Sequence, residues 1–144
     1  MLQNVNQKSG KWAEEALDIH GLIYEKMSRI HRRTRMNAED HIILDSKLLI
    51  TAGAMAAAII DRSSVEGVND LTASTEEGLL PAVIAWADDL IHLHASIYTM
   101  MMKNYRRPRI SPEDETMLDT KLFESASLMA VSLFNRSTRM VAPQ

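Results

Sequence analysis

Two short basic turns, His31-Arg-Arg-Thr-Arg35 and Tyr105-Arg-Arg-Pro-Arg109, hold the residues of this chain best suited to gripping a ligand. A guanidinium is planar, permanently charged and rich in donors, so it holds phosphate or carboxylate at two points. Arg32, Arg33, Arg35, Arg106, Arg107 and Arg109 are therefore the candidate ligand-binding set. Each turn lies between the expected end of one helix and the start of the next, where cations offset free carbonyls and unpaired N–H groups can receive an anion. The competing role is capping, with ion pairs to Glu39 and Asp40 or to Glu113 and Asp114. A charge near a helix end contributes only ~0.3–1 kcal/mol, and the effect fades within a turn. Three arginines in each turn exceed that need. The anionic partner expected on these grounds is a nucleic acid, a nucleotide or an acidic protein.

A second set is polar and bordered by apolar residues: His20, Tyr24, Asp45 and Lys47, with His94, Tyr98, Asp119 and Lys121. His20 and Tyr24 lie one helical turn apart on the flank of an apolar stripe, and Asp45 flanks the stripe of the following helix. They can meet across a hairpin as a hydrogen-bonded network at the core margin. A histidine beside a carboxylate also suits general acid–base work, but no nucleophile motif accompanies it, and no catalytic residue is assigned.

The acidic residues Glu14, Glu15 and Asp18, with Asp88 and Asp89, suit the first turns of helices, and clustered carboxylates can also hold Mg²⁺. Glu14-Glu15-Ala-Leu-Asp18 resembles the EExxE motif of the all-α nucleotide pyrophosphohydrolases. That resemblance implies a Mg²⁺-dependent hydrolase as the alternative function. The chain departs from the family's pattern at two points: Ile42 stands where an ExxD spacing from Glu39 needs an acid, and His92 stands where the second copy would repeat Asp18. His92 and His94 fall on different helix faces, and the second helices lack the ExxH pair of ferritin-like di-iron bundles, so no metal ligand set and no cofactor is assigned.

The elements that must position these groups follow from an internal repeat. Residues 12–64 align without a gap with 86–138 at an offset of 74, and 20 of the 53 aligned pairs are identical, all three arginines of each turn among them. Each copy reads as two helices. Trp12, Ala16, Ile19, Ile23, Met27 and Ile30 form one apolar stripe, and Trp86, Leu90, Leu93, Ile97 and Met101 form its counterpart. The two tryptophans are expected to be equivalent and buried. Asn37 and Ser111 are the expected caps of the second helices, with Pro112 at the first helical position. The stripes that follow are Leu44, Leu48, Ala52, Met55 and Ile59, then Leu118, Leu122, Ala126, Met129 and Leu133. Residues 65–85 form the connection and the start of the third helix, and the two chain ends, Met1–Gly10 and the tail after Thr138, lack stripes and should be loose. The expected fold is all-α: a tandem-duplicated αα-hairpin forming a pseudo-twofold four-helix bundle, with 1–144 as a single domain.

Composition narrows the setting. At 144 residues the chain can bury one core, and with no cysteine it has neither disulfides nor thiolate chemistry, as a cytoplasmic protein would. A net charge of −3 argues against a general nucleic-acid coat but leaves room for a local basic patch. The start of the chain is polar, without an export signal, and no stretch is expected to cross a membrane. Ile42, Ile43, Leu49, Ile50, Ile60, Phe123 and Phe134 exceed what one seam can cover, which predicts a homodimer. The function expected is that of a small non-enzymatic binding or regulatory protein.

Overall fold

A computed structural model describes the backbone of residues 2–141 and the side chains of residues 7–137. Four helices pack together: α1 (Leu2–His31), α2 (Ala38–Val65), α3 (Pro81–Tyr105) and α4 (Pro112–Val141). The start signals act as their chemistry requires. The Asn37 side chain accepts from the backbone N–H of Asp40 at 2.8 Å, and Ser111 Oγ accepts from that of Asp114 at 3.1 Å. Pro81 and Pro112 open their helices, where a missing N–H costs nothing.

The outermost helices are longer than expected. The start of α1 is helical from Leu2, because nothing between Leu2 and Gly10 breaks a helix and a single mid-helix glycine costs only ~1 kcal/mol. The end of α4 likewise continues past Thr138 to Val141.

The core is centred on α2, which packs on α1, α3 and α4, whereas the backbones of α1 and α4 stay apart and their side chains meet where His31, at the end of α1, stands against Phe123. Every residue of its expected stripe is buried: Leu44, Leu48, Ala52, Met55 and Ile59. By length and apolar composition α2 would also suffice to cross a membrane, contrary to expectation, but half of that stretch is buried inside the bundle, as befits a core helix. The separation of the α1 and α4 backbones leaves Trp12 less covered than Trp86. Trp86 is 8% exposed, with the Arg62 guanidinium 5.2 Å from its ring, because α2 lies against α3. Trp12 has no such neighbour from α4 and is 44% exposed. The tryptophans are therefore not equivalent. On α4 the buried face is Leu122, Phe123, Ala126, Ala130 and Phe134, turned away from the expected Met129 and Leu133, both of which are exposed. The two phenylalanines take the core, since their rings bury the most apolar area, and so they are not the uncovered residues that a dimer would need.

The connection between α2 and α3 is closed by Leu71 and Leu79, both buried, and by a single antiparallel bridge between Thr72 and Leu79. Gly78, with φ of 75°, makes the tight reversal next to that bridge, a backbone state that glycine adopts without strain.

Candidate functional site: an arginine-lined groove at one end of the bundle

Each hairpin turns at the same end of the molecule. Because α2 and α4 lie side by side, their N-terminal halves bring the two basic turns together. Between them runs a groove of about 530 Å³, to which all four helices contribute. Arg32, Arg33, Arg35 and Arg106 line it, joined by Lys47 from α2. Arg107 and Arg109 do not. They line an adjoining hollow of about 430 Å³ with Pro108 and Ile110. Arg109 has φ of 63°, the sole non-glycine residue with positive φ among those described, so the second turn leaves its helix by a different path from the first. Conserved spacing within the chain thus places four of the six arginines in the groove and two beside it.

Three of the five cations lining the groove are already committed. Arg32 meets Asp45 at 3.1 Å, Lys47 meets Asp119 at 2.5 Å, and Arg106 meets Glu115 at 3.2 Å. Arg33 and Arg35 have no ion-pair partner among the described residues, and both are exposed. Asp40, Glu115 and Asp119 are the carboxylates that also line the groove.

Within the polar set the same hydrogen bonds recur at the offset of 74. Tyr24 donates to Asp45 at 2.8 Å, and Tyr98 donates to Asp119. Nε2 of His20 lies 3.1 Å from the Leu49 carbonyl, and Nε2 of His94 lies 2.9 Å from that of Phe123. The third partner differs. Lys47 reaches from α2 across to Asp119, while the lysine 74 residues on, Lys121, is exposed and Asp45 receives Arg32 instead. Lys121 therefore belongs to neither network. Only α2 has the neighbours to bury a lysine, and Lys47 is buried with its ammonium 4.9 Å from the Phe123 ring centre.

Sequence reasoning missed His31 and the aromatic wall around it. Its ring stands edge-on to Phe123 at 5.0 Å and to His94 and Tyr98 at 6.1 Å each. Burial, with His94 and Lys47 nearby, lowers its pKa to about 4, so the ring is neutral at pH 7. Burial also lowers the pKa of His94, which is fully enclosed, with Nδ1 unpartnered. Tyr98 is raised by burial and by its bond to Asp119, and Tyr24 by its bond to Asp45. The one available signal was that His31 and Tyr105 are both ring-bearing residues ending the first helix of each copy. Tyr105, however, is exposed.

The acidic cluster does not converge. Glu15 is buried, Glu14 and Asp18 face solvent, and Asp88 pairs with Lys26 at 2.7 Å. Among the described residues no three histidine, aspartate or glutamate side chains are placed to share a metal ion.

Compared with protein-family models, with curated proteins and with solved structures, the chain matches none.

Proposed function

We propose that this protein is a small, non-enzymatic, cytoplasmic binding protein whose two basic turns together hold an anionic ligand. The observation that carries the reading is that arginines from two turns 74 residues apart line one groove, in which Arg33 and Arg35 have no carboxylate partner. A guanidinium committed to a protein carboxylate must break that pair to take a ligand, whereas a solvated one exchanges water for an anion. Arg33 and Arg35 are therefore the primary contacts, with Arg32 and Arg106 held on either side by Asp45 and Glu115.

We further propose that the site arose by doubling one αα-hairpin about a pseudo-twofold relation. The identical residues at an offset of 74 support this, as do the recurring Tyr–Asp and His–carbonyl bonds.

The test is binding of inorganic phosphate, pyrophosphate, a nucleotide and a short single-stranded oligonucleotide to the full chain and to the Arg33→Ala/Arg35→Ala variant. Both residues are exposed, so the variant should fold as the parent does. Anion binding that falls about tenfold or more in the variant supports the reading. A steep loss with salt would point to nucleic acid through counterion release, and an effect mainly on the association rate would point to an acidic protein. Equal binding by parent and variant would remove the arginines from the site.

A further inference from the structure

The groove is deep as well as cationic. Its rim carries Arg33 and Arg35, but its floor descends to Leu44, Leu122 and Phe123, all buried in the core, with the half-buried Leu118 and Met102 as facing walls from α4 and α3. At about 530 Å³ it lies within the ~300–1,000 Å³ typical of small-molecule sites. Lys47, the only cation near the floor, is held by Asp119 and lies against the face of Phe123, so free positive charge is confined to the rim. A strand of nucleic acid or an acidic protein segment laid over the arginines would leave the apolar floor unfilled, and an inorganic anion would touch the rim alone.

We infer that the ligand of this groove is a small amphiphilic anion, with one phosphate, sulfonate or carboxylate head held by Arg33 and Arg35 and an apolar body lying between the half-buried Leu118 and Met102, above the buried Leu44, Leu122 and Phe123. The inference rests on the anion-binding reading above and adds the class of molecule. A nucleoside monophosphate, an aryl phosphate and an acyl carboxylate share this chemistry. The head exchanges water for two guanidinium groups, and the body removes its own surface and what Leu118 and Met102 still expose from water at ~25 cal/mol per Å².

The full-length protein should bind the fluorescent probe 8-anilino-1-naphthalenesulfonate at one site per chain, and the bound probe should be displaced by adenosine monophosphate, naphthyl phosphate or decanoate but not by the same concentration of inorganic phosphate. Displacement by the phosphates alone identifies ring-bearing phosphates as the class, and displacement by decanoate alone identifies acyl carboxylates; either result supports the inference. Leu118→Trp fills the groove from α4 and should weaken displaceable binding about tenfold or more, as should Arg33→Ala/Arg35→Ala. Met102→Trp, filling it from α3, serves as a second variant in case Leu118→Trp alters folding as judged by helical circular dichroism. If phosphate or an oligonucleotide binds as tightly as the amphiphiles and neither filling variant weakens them, the amphiphile is refuted while the anion groove stands. If the arginine variant leaves all binding unchanged, both readings fall.

Discussion

Replacing His31 with phenylalanine should abolish a defined part of the protein's sensitivity to acid. The ring is packed edge-on to Phe123, His94 and Tyr98, and the charged groups facing it are Lys47 and Asp119. Its folded pKa of about 4 lies below the ordinary 6.5, so the folded state resists a proton that the unfolded chain takes up. For a depressed histidine the unfolded state binds more protons between the two values. Stability is therefore full above pH 6.5 and falls as the pH drops toward 4. Linkage over those two values gives a loss of about 1.8 kcal/mol between pH 7 and pH 5, and the part of the ring that still meets solvent reduces this to about 1–1.5 kcal/mol. His94 shifts in the same direction and adds to the loss in both proteins. Urea unfolding at pH 7 and pH 5 isolates the His31 contribution as the difference between parent and variant. The parent should lose about 1–1.5 kcal/mol more than His31→Phe over that interval. Identical losses in the two proteins would mean that the His31 ring is not enclosed as described, and the wall it shares with the groove would fall with it.

Three further outcomes are expected. Trp86→Ala should cost ~3–5 kcal/mol in a thermal or urea melt, while Trp12→Ala should cost about 1 kcal/mol; equal costs would restore the equivalence suggested by the repeat. Asp119→Asn should destabilise by ~3–5 kcal/mol, since it leaves Lys47 buried opposite a neutral amide, and Lys47→Met/Asp119→Asn should recover much of that loss; a double variant no better than the single would sink this account of the pair. Sedimentation should show a dimer through the outer face of α2, where Ile42, Leu49, Ala57 and Ile60 recur at helical spacing and are exposed. A lone 16.2 kDa species at high concentration would refute that expectation.

Local signals in the chain were enough for the four helices, the caps of α2 and α4 and the buried face of α2. Asn37 and Ser111 mark helix starts through hydrogen bonds to the N–H three residues on, and Pro81 and Pro112 through a fixed φ and a missing donor, which no distant neighbour alters. The Tyr24–Asp45 and Tyr98–Asp119 pairs were legible for a similar reason: within one short-looped hairpin, the helical period dictates which residues face each other. What lay beyond one hairpin was not legible. Residues 12–64 and 86–138 carry the same tryptophan, lysine and arginine spacing, so by sequence alone Trp12 equals Trp86, Lys47 equals Lys121 and Arg109 equals Arg35. Tertiary packing decided otherwise. With α2 surrounded on three sides and the backbones of α1 and α4 apart, one tryptophan and one lysine of each pair are enclosed and the others meet water. The groove belongs wholly to that second level. Burial, charge pairing and the pKa of His31 depend on which elements from the other hairpin come near, and an alignment of one half of the chain with the other does not contain that information.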